Sequence, residues 1–219
     1  MLTQIYEIST ADEARSISSL GIDHAGVLVG DGQFPRELPL AAAKKVARAI
    51  LAPTKFSALF LTANTRMIEA WALKLRPSII HLGASADLLS PADVTALKRR
   101  LPTIQIMRSV PVTGEESIGI AQSYDGIADF ILLDSYRALD NQIGALGVIH
   151  DWRISRRIVE LVRVPVILAG GLGPDNVRDA IRAVGPAGVD SKTRTDREGS
   201  HAKDIDLVRR FREAALSEI

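Results

Sequence analysis

Residues 165–190 read PVILAGGLGPDNVRDAIRAVGPAGVD, and this stretch decides the fold class. Val166, Ile167, Leu168 and Ala169 form a short unbroken apolar run, the pattern of a parallel strand covered on both faces. Gly170 and Gly171 end it. Gly173 then suits an N-cap and Pro174 a first helical position, with Val177, Ala180, Ile181 and Val184 repeating at i, i+3, i+4 and i+7 on one helical face. Gly185 and Pro186 stop the helix, so Ala187–Ser191 returns as a strand parallel to the first, because a helix lies in the connection. Two adjacent glycines opening onto a helix N-terminus also let backbone N–H groups approach an anion. Gly170 and Gly171 are therefore either a phosphate cradle or only a tight turn.

The same grammar repeats along the chain. Gln4–Ile8 reads as a first strand, and Thr10-Ala11-Asp12-Glu13 is a capping box that starts a helix through Leu20. His24–Val29 is a second strand, followed by the loop GDGQFPREL over residues 30–38 and an alanine-rich helix over 39–51. Phe56–Leu61 and Ser78–His81 are the third and fourth strands, separated by a helix over 64–75 with Ile68, Trp71, Ala72 and Leu75 on one face. Ser90 caps the next helix, with Pro91 first in it. Ile104–Met107 is the fifth strand, Gly114–Tyr124 a helix, and Phe130–Asp134 a sixth strand ending on a carboxylate. A long loop leads to a helix over 151–162. After the central unit, residues 204–216 close the chain as a helix with Val208, Phe211 and Ala215 inward. Eight strand–helix pairs in 219 residues predict one domain over residues 1–219 of class α/β, a single (β/α)8 TIM barrel. The doubly wound open sheet shares this local grammar and is the alternative.

Composition narrows the function classes. The chain carries 27 Lys and Arg against 26 Asp and Glu, a formal net charge of +1, which argues against a nucleic-acid partner. No apolar run reaches the roughly 18 to 20 residues that span a bilayer, and the N-terminus lacks a secretory pattern, so no membrane partner and a cytoplasmic location are expected. There is no cysteine; disulfides, thiolate metal sites and cysteine nucleophiles are all excluded. His24, His81, His150 and His201 show no metal-ligand spacing, and neither a metal nor a cofactor is expected.

In a barrel, function gathers at the C-terminal ends of the strands. Asp134 ends the apolar run FILLD, where poor solvation raises a carboxyl toward a useful general acid; its plainer roles are capping a turn or pairing with Arg137. Glu7, across the mouth, is a candidate second carboxylate for base work, or a surface salt bridge. Asp190 binds a substrate amine or hydroxyl, or orients Lys192 or Arg194. Arg36 either clamps a substrate carboxylate bidentately or is simply solvated. His81 reads first as a hydrogen-bonded strand residue. Thr193 can add a hydroxyl to a phosphate cradle, and residues 192–201, KTRTDREGSH, read as a mobile polar loop.

Taken together and in order, these residues resemble the phosphoribosylanthranilate isomerase family, tryptophan-pathway barrels that perform an Amadori rearrangement. The resemblance runs nearly end to end and is strongest from Phe130 to Asp204: ILLDS, Gly144 and Gly147 before His150-Asp151-Trp152, VPVILAGGLGPDNV, GVD, and Lys203-Asp204. Phe34-Pro35-Arg36 resembles the family's SPR loop, and FSALFLT over residues 56–62 its third strand. The resemblance implies Asp134 as the acid that opens the ribose ring, Arg36 on the anthranilate carboxylate, Asp190 on the substrate, and Gly170, Gly171 and the Thr193 loop on the phosphate.

The departures fall at the chemistry. The family's first strand ends lysine, isoleucine, cysteine, glycine, the cysteine thiolate being its base; Gln4, Ile5, Tyr6 and Glu7 stand here. Glu7 can take over if the strand slips by one residue or ends in a bulge, whereas Tyr6 as a phenolate is disfavoured by a reference pKa of about 10. Lys192, Thr193 and Arg194 replace serine, serine, glycine, which makes Arg194 a candidate phosphate ligand. His81, a candidate substrate contact, is displaced by one from the family's histidine, and Gly144 and Ala145 replace two glycines. The expected partner is a small phosphorylated sugar or ribosyl amine, with the chain a monomer or homodimer. Isomerisation of such an amine is the first reading. An epimerase or lyase step on another phosphosugar, or a non-catalytic phosphosugar-binding barrel, are the alternatives.

Overall fold

A computed structural model of the protein describes residues 1–137, 142–143 and 147–217. Eight parallel strands close on themselves: β1 (Leu2–Ile5), β2 (His24–Leu28), β3 (Lys55–Phe60), β4 (Ile79–Leu82), β5 (Gln105–Pro111), β6 (Phe130–Asp134), β7 (Val166–Leu168) and β8 (Gly188–Ser191). Each neighbours the next, and β8 pairs with β1 from Leu2 opposite Gly188 to Ile5 opposite Ser191. The closed sheet settles the choice between barrel and open sheet. The helices α1 (Ala11–Ser19), α2 (Leu40–Ala49), α3 (Thr65–Leu75), α4 (Pro91–Arg100), α5 (Glu116–Ser123), α6 (Trp152–Leu161), α7 (Val177–Val184) and α8 (Ile205–Leu216) alternate with them.

Strand residues alternate between two cores. Outward-facing Ile5, Val27, Phe60, Ile106, Leu133 and Val189 pack with Ile17, Val46, Ile68, Leu97, Ile181 and Phe211 of the helices. Inward-facing Tyr6, Ile79, Met107, Phe130, Leu132 and Ile167 fill part of the barrel, and the rest is polar, with Gln4, His24, Ser57, His81, Ser109 and Asp190 all buried. Each of these groups has a partner, as burial requires, although His81 Nδ1 is left without one. Gln4 Nε2 donates to Asp190 Oδ1 at 3.1 Å, Gln4 Oε1 lies 3.1 Å from His24 Nδ1, and Tyr6 Oη lies 2.7 Å from Ser57 Oγ.

Local signals held at Thr10 and Ser90, both of which make complete capping boxes. The central helix begins later than its sequence suggests. Gly173 and Pro174 form a turn instead of a cap, Asn176 precedes the first residue Val177, and the Asn176 side chain ties that turn by accepting from Gly173 N and donating to Gly171 O. Residues 192–201 are not a loose loop. Thr193–Thr195 is a turn of 3-10 helix, Asp196 bridges to Lys203, and Lys203 is buried with its Nζ 2.5 Å from Asp196 Oδ1. The supposed pairing of Asp134 with the Arg137 side chain, and the positions of Gly144 and Ala145, lie outside the described residues.

Candidate active site

The barrel's C-terminal mouth holds a cleft lined by Asp134, Gly147, Gly170, Gly171, Leu172, Asp190, Lys192, Thr193 and Arg194. The loops after β6, β7 and β8 thus converge, and both candidate aspartates sit with the glycine pair. Gly170 and Gly171 have φ of 85° and 64°, which side chains rarely adopt. A Cβ on Gly171 would come within 2.8 Å of the Val148 carbonyl carbon, and one on Gly170 within 2.7 Å of His150 Nδ1. A side chain is strained at either position, and at Gly171 it meets backbone as well.

Asp134 accepts from Ser135 N at 2.8 Å. Burial outweighs that hydrogen bond and pushes its carboxyl up to about 7, the range in which a carboxylic acid is protonated at neutral pH and still gives up its proton. Asp190 is also held well above its ordinary value, first by burial and then by the Asp134 charge; the Gln4 amide only partly offsets this. Two carboxyls in one cleft resist double ionisation.

Where the family pattern has its cysteine, Tyr6 points into the barrel. Its hydroxyl meets Ser57, its ring stands edge-on to His81 with centroids 5.0 Å apart, and burial holds its pKa well above the usual value. The ring fits because β2 offers Gly26, whose Cβ would lie 2.2 Å from Tyr6 Cδ1. Such a phenol is no base for a ligand at the mouth. Nor does the structure bring His81 to the cleft. It is 3% exposed beneath Tyr6, 2.6 Å from Ser109 Oγ, and held neutral at about 3 by burial and the Arg108 charge.

Strand β1 does not slip. It keeps Gln4 and Tyr6 inward, and Glu7 follows with φ of 59°. That left-handed backbone accounts for the glycine in the family pattern; a side chain there costs roughly 1 to 2 kcal/mol. Glu7 turns to Arg36, itself at φ 67°, and takes both prongs of its guanidinium, Nε at 2.5 Å and Nη2 at 3.1 Å. Burial alone would raise the Glu7 carboxyl, but the Arg36 hydrogen bond and the charges of Lys192, Arg36 and Lys203 hold it below the usual range. Lys192, missed as a cleft residue by sequence reading, lies 3.5 Å from Glu7 Oε2 and 3.1 Å from Asp196 Oδ2. Arg194 lines the cleft with its Nη1 3.0 Å from Asp175 Oδ2. Among the described residues no three His, Asp or Glu side chains are grouped to hold a metal ion, and no helix is long and apolar enough to cross a membrane.

Comparison with known proteins gives a consistent picture. The profile of the family described as N-(5'phosphoribosyl)anthranilate (PRA) isomerase matches residues 24–214. The N-(5'-phosphoribosyl)anthranilate isomerase of Methanocella arvoryzae is 34% identical over 205 residues, 93% of this chain and 92% of its own. The solved structure of phosphoribosyl anthranilate isomerase from Thermococcus kodakaraensis superposes with a TM-score of 0.78 at 26% identity, covering 97% of each chain. That of Thermus thermophilus, 20% identical, shares the fold with a TM-score of 0.83 over 99% of each chain.

Proposed function

The chain belongs to the N-(5'-phosphoribosyl)anthranilate isomerase family, whose reaction is the Amadori-type isomerisation of tryptophan biosynthesis, and from that premise we propose how its own residues perform such a reaction on a phosphorylated ribosyl amine. The observation that carries the reading is Asp134, a carboxyl raised to about 7 in the cleft that also holds the glycine pair. The phosphate lies against Gly170 and Gly171, with Thr193, Arg194 and Lys192 beside it; backbone N–H groups and cations suit a dianion. Asp134 donates its proton to the ring oxygen as the C1′–O4′ bond breaks and the amine lone pair forms C1′=N. A base then removes the C2′ proton, the C–H electron pair forms C1′=C2′, and the π pair returns to nitrogen. Loss of the C2′ hydroxyl proton to Asp134 and protonation at C1′ complete the ketose. Asp190, at the cleft floor, accepts from the sugar hydroxyls or the amine.

Tyr6 leaves no thiolate, so Glu7 is the base assigned here. Burial of the only hydroxyl at the cysteine position favours one competing reading, a barrel that binds the phosphosugar without isomerising it. Consumption of phosphoribosylanthranilate by the purified protein, followed by fluorescence, separates the two. Turnover that Asp134→Asn abolishes supports isomerisation, whereas binding without turnover supports the passive barrel.

A further inference from the structure

The Glu7–Arg36 pair is placed where a substrate carboxylate is wanted. Arg36 carries a planar guanidinium that binds a carboxylate bidentately along one edge, and Glu7 already holds its Nε–Nη2 edge. The guanidinium side chain is 34% exposed and the Glu7 side chain 9%, so an incoming anion reaches the arginine while the glutamate stays covered. Glu7 is also 3.5 Å from Lys192, which lines the cleft. Its carboxylate therefore stands beside the cleft but is turned toward the loop after β2.

Building on the isomerase reading above, we infer that this pair is a latch worked by the substrate: the aryl carboxylate of a phosphoribosyl amine displaces Glu7 from Arg36, and the released Glu7 takes the C2′ proton. The groups facing Glu7 are Arg36, then Lys192 and Lys203 from the segment after β8, with Asp196 shared by both lysines and Asp190 below. Losing Arg36 to a competing carboxylate removes the hydrogen bonds that weaken Glu7 as a base while the burial that strengthens it remains. The proton taken from C2′ returns to C1′ at the end of the cycle, so Glu7 is regenerated and no further reactant enters. A substrate without the carboxylate leaves the latch closed.

The test compares phosphoribosylanthranilate with the phosphoribosyl amine of plain aniline, on the intact protein. The aniline compound is expected to lose kcat by about 10²-fold or more, the size of a missing base, and added benzoate is expected to restore part of it by occupying Arg36. Benzoate restores nothing in Glu7→Gln. In Arg36→Gln, Glu7 is released from the arginine without a substrate carboxylate, so the aniline compound is turned over within about tenfold of the parent's rate on the anthranilate compound, a gain that a purely structural ion pair does not produce. Equal kcat for both substrates in the parent, with only KM changed, overturns the latch and leaves the isomerase reading standing. Absence of turnover on both overturns the isomerase reading and the latch with it.

Discussion

Asp134→Asn exposes the link between chemistry and stability at this site. In the folded protein the carboxyl ionises near 7, against a reference of 3.8, so between these values the native state binds a proton that the unfolded chain has released. Stability then falls as pH rises, since the slope follows the protons bound by the unfolded minus the native state. The displacement of about three units corresponds to about 4 kcal/mol as an upper bound, and to about 2 kcal/mol once partial solvent contact of the side chain is allowed for. Asparagine is nearly isosteric, accepts from Ser135 N through its amide oxygen, and carries no charge. The variant is therefore expected to match the parent near pH 4 and to exceed it by about 2 to 4 kcal/mol at pH 8, while turnover falls by about 10² to 10⁴. Removal of the Asp134 charge also lowers Asp190 toward its ordinary value, flattening the variant's profile further. Urea titrations of both proteins from pH 4 to 8, beside activity at each pH, provide the assay. Parallel stability profiles would refute the reasoning, as would parent activity that rises through pH 8, because the acid must be protonated to work.

Three more outcomes follow from the packing. Gly26→Ala drives a methyl into the Tyr6 ring and is expected to cost about 1 to 3 kcal/mol by chemical denaturation; Tyr6→Cys in the same chain recovers part of that loss, since contacting sites do not add. Tyr6→Phe orphans Ser57 and costs about 1 to 2 kcal/mol but leaves kcat within a few-fold, and a loss beyond 100-fold would show the phenol to be catalytic. Gly171→Ala, with a Cβ forced against the Val148 carbonyl at φ 64°, is expected to raise KM about tenfold or more through the phosphate, read also as weaker inhibition by inorganic phosphate; an unchanged KM places the phosphate elsewhere.

Much of this was legible in the sequence because it is local. FILLD ends on Asp134 as the strand does, VILA is a strand with alternating faces in two cores, and the helical repeat Val177, Ala180, Ile181, Val184 is the buried face of α7. What escaped is tertiary. Residues 192–201 are polar in composition, yet Asp196 and Lys192 are covered because Lys203 folds back beneath them. From the sequence Glu7 reaches the mouth by a one-residue slip or a terminal bulge; the strand instead keeps its register and the chain turns left-handed, stabilised by an arginine 29 residues away. No periodicity announces such a pair. The fate of Tyr6 was foreshadowed by Gly26 on the adjacent strand, the one barrel-facing position of β2 small enough to admit an aromatic ring.

The most direct test of the account is steady-state consumption of phosphoribosylanthranilate by the purified protein, with Glu7→Gln and Asp134→Asn measured beside it. Turnover by the parent, lost in both variants, is the result expected of a family member that replaces a thiolate with a carboxylate. No turnover by the parent, at protein concentrations that would reveal even a very slow enzyme, would contradict it.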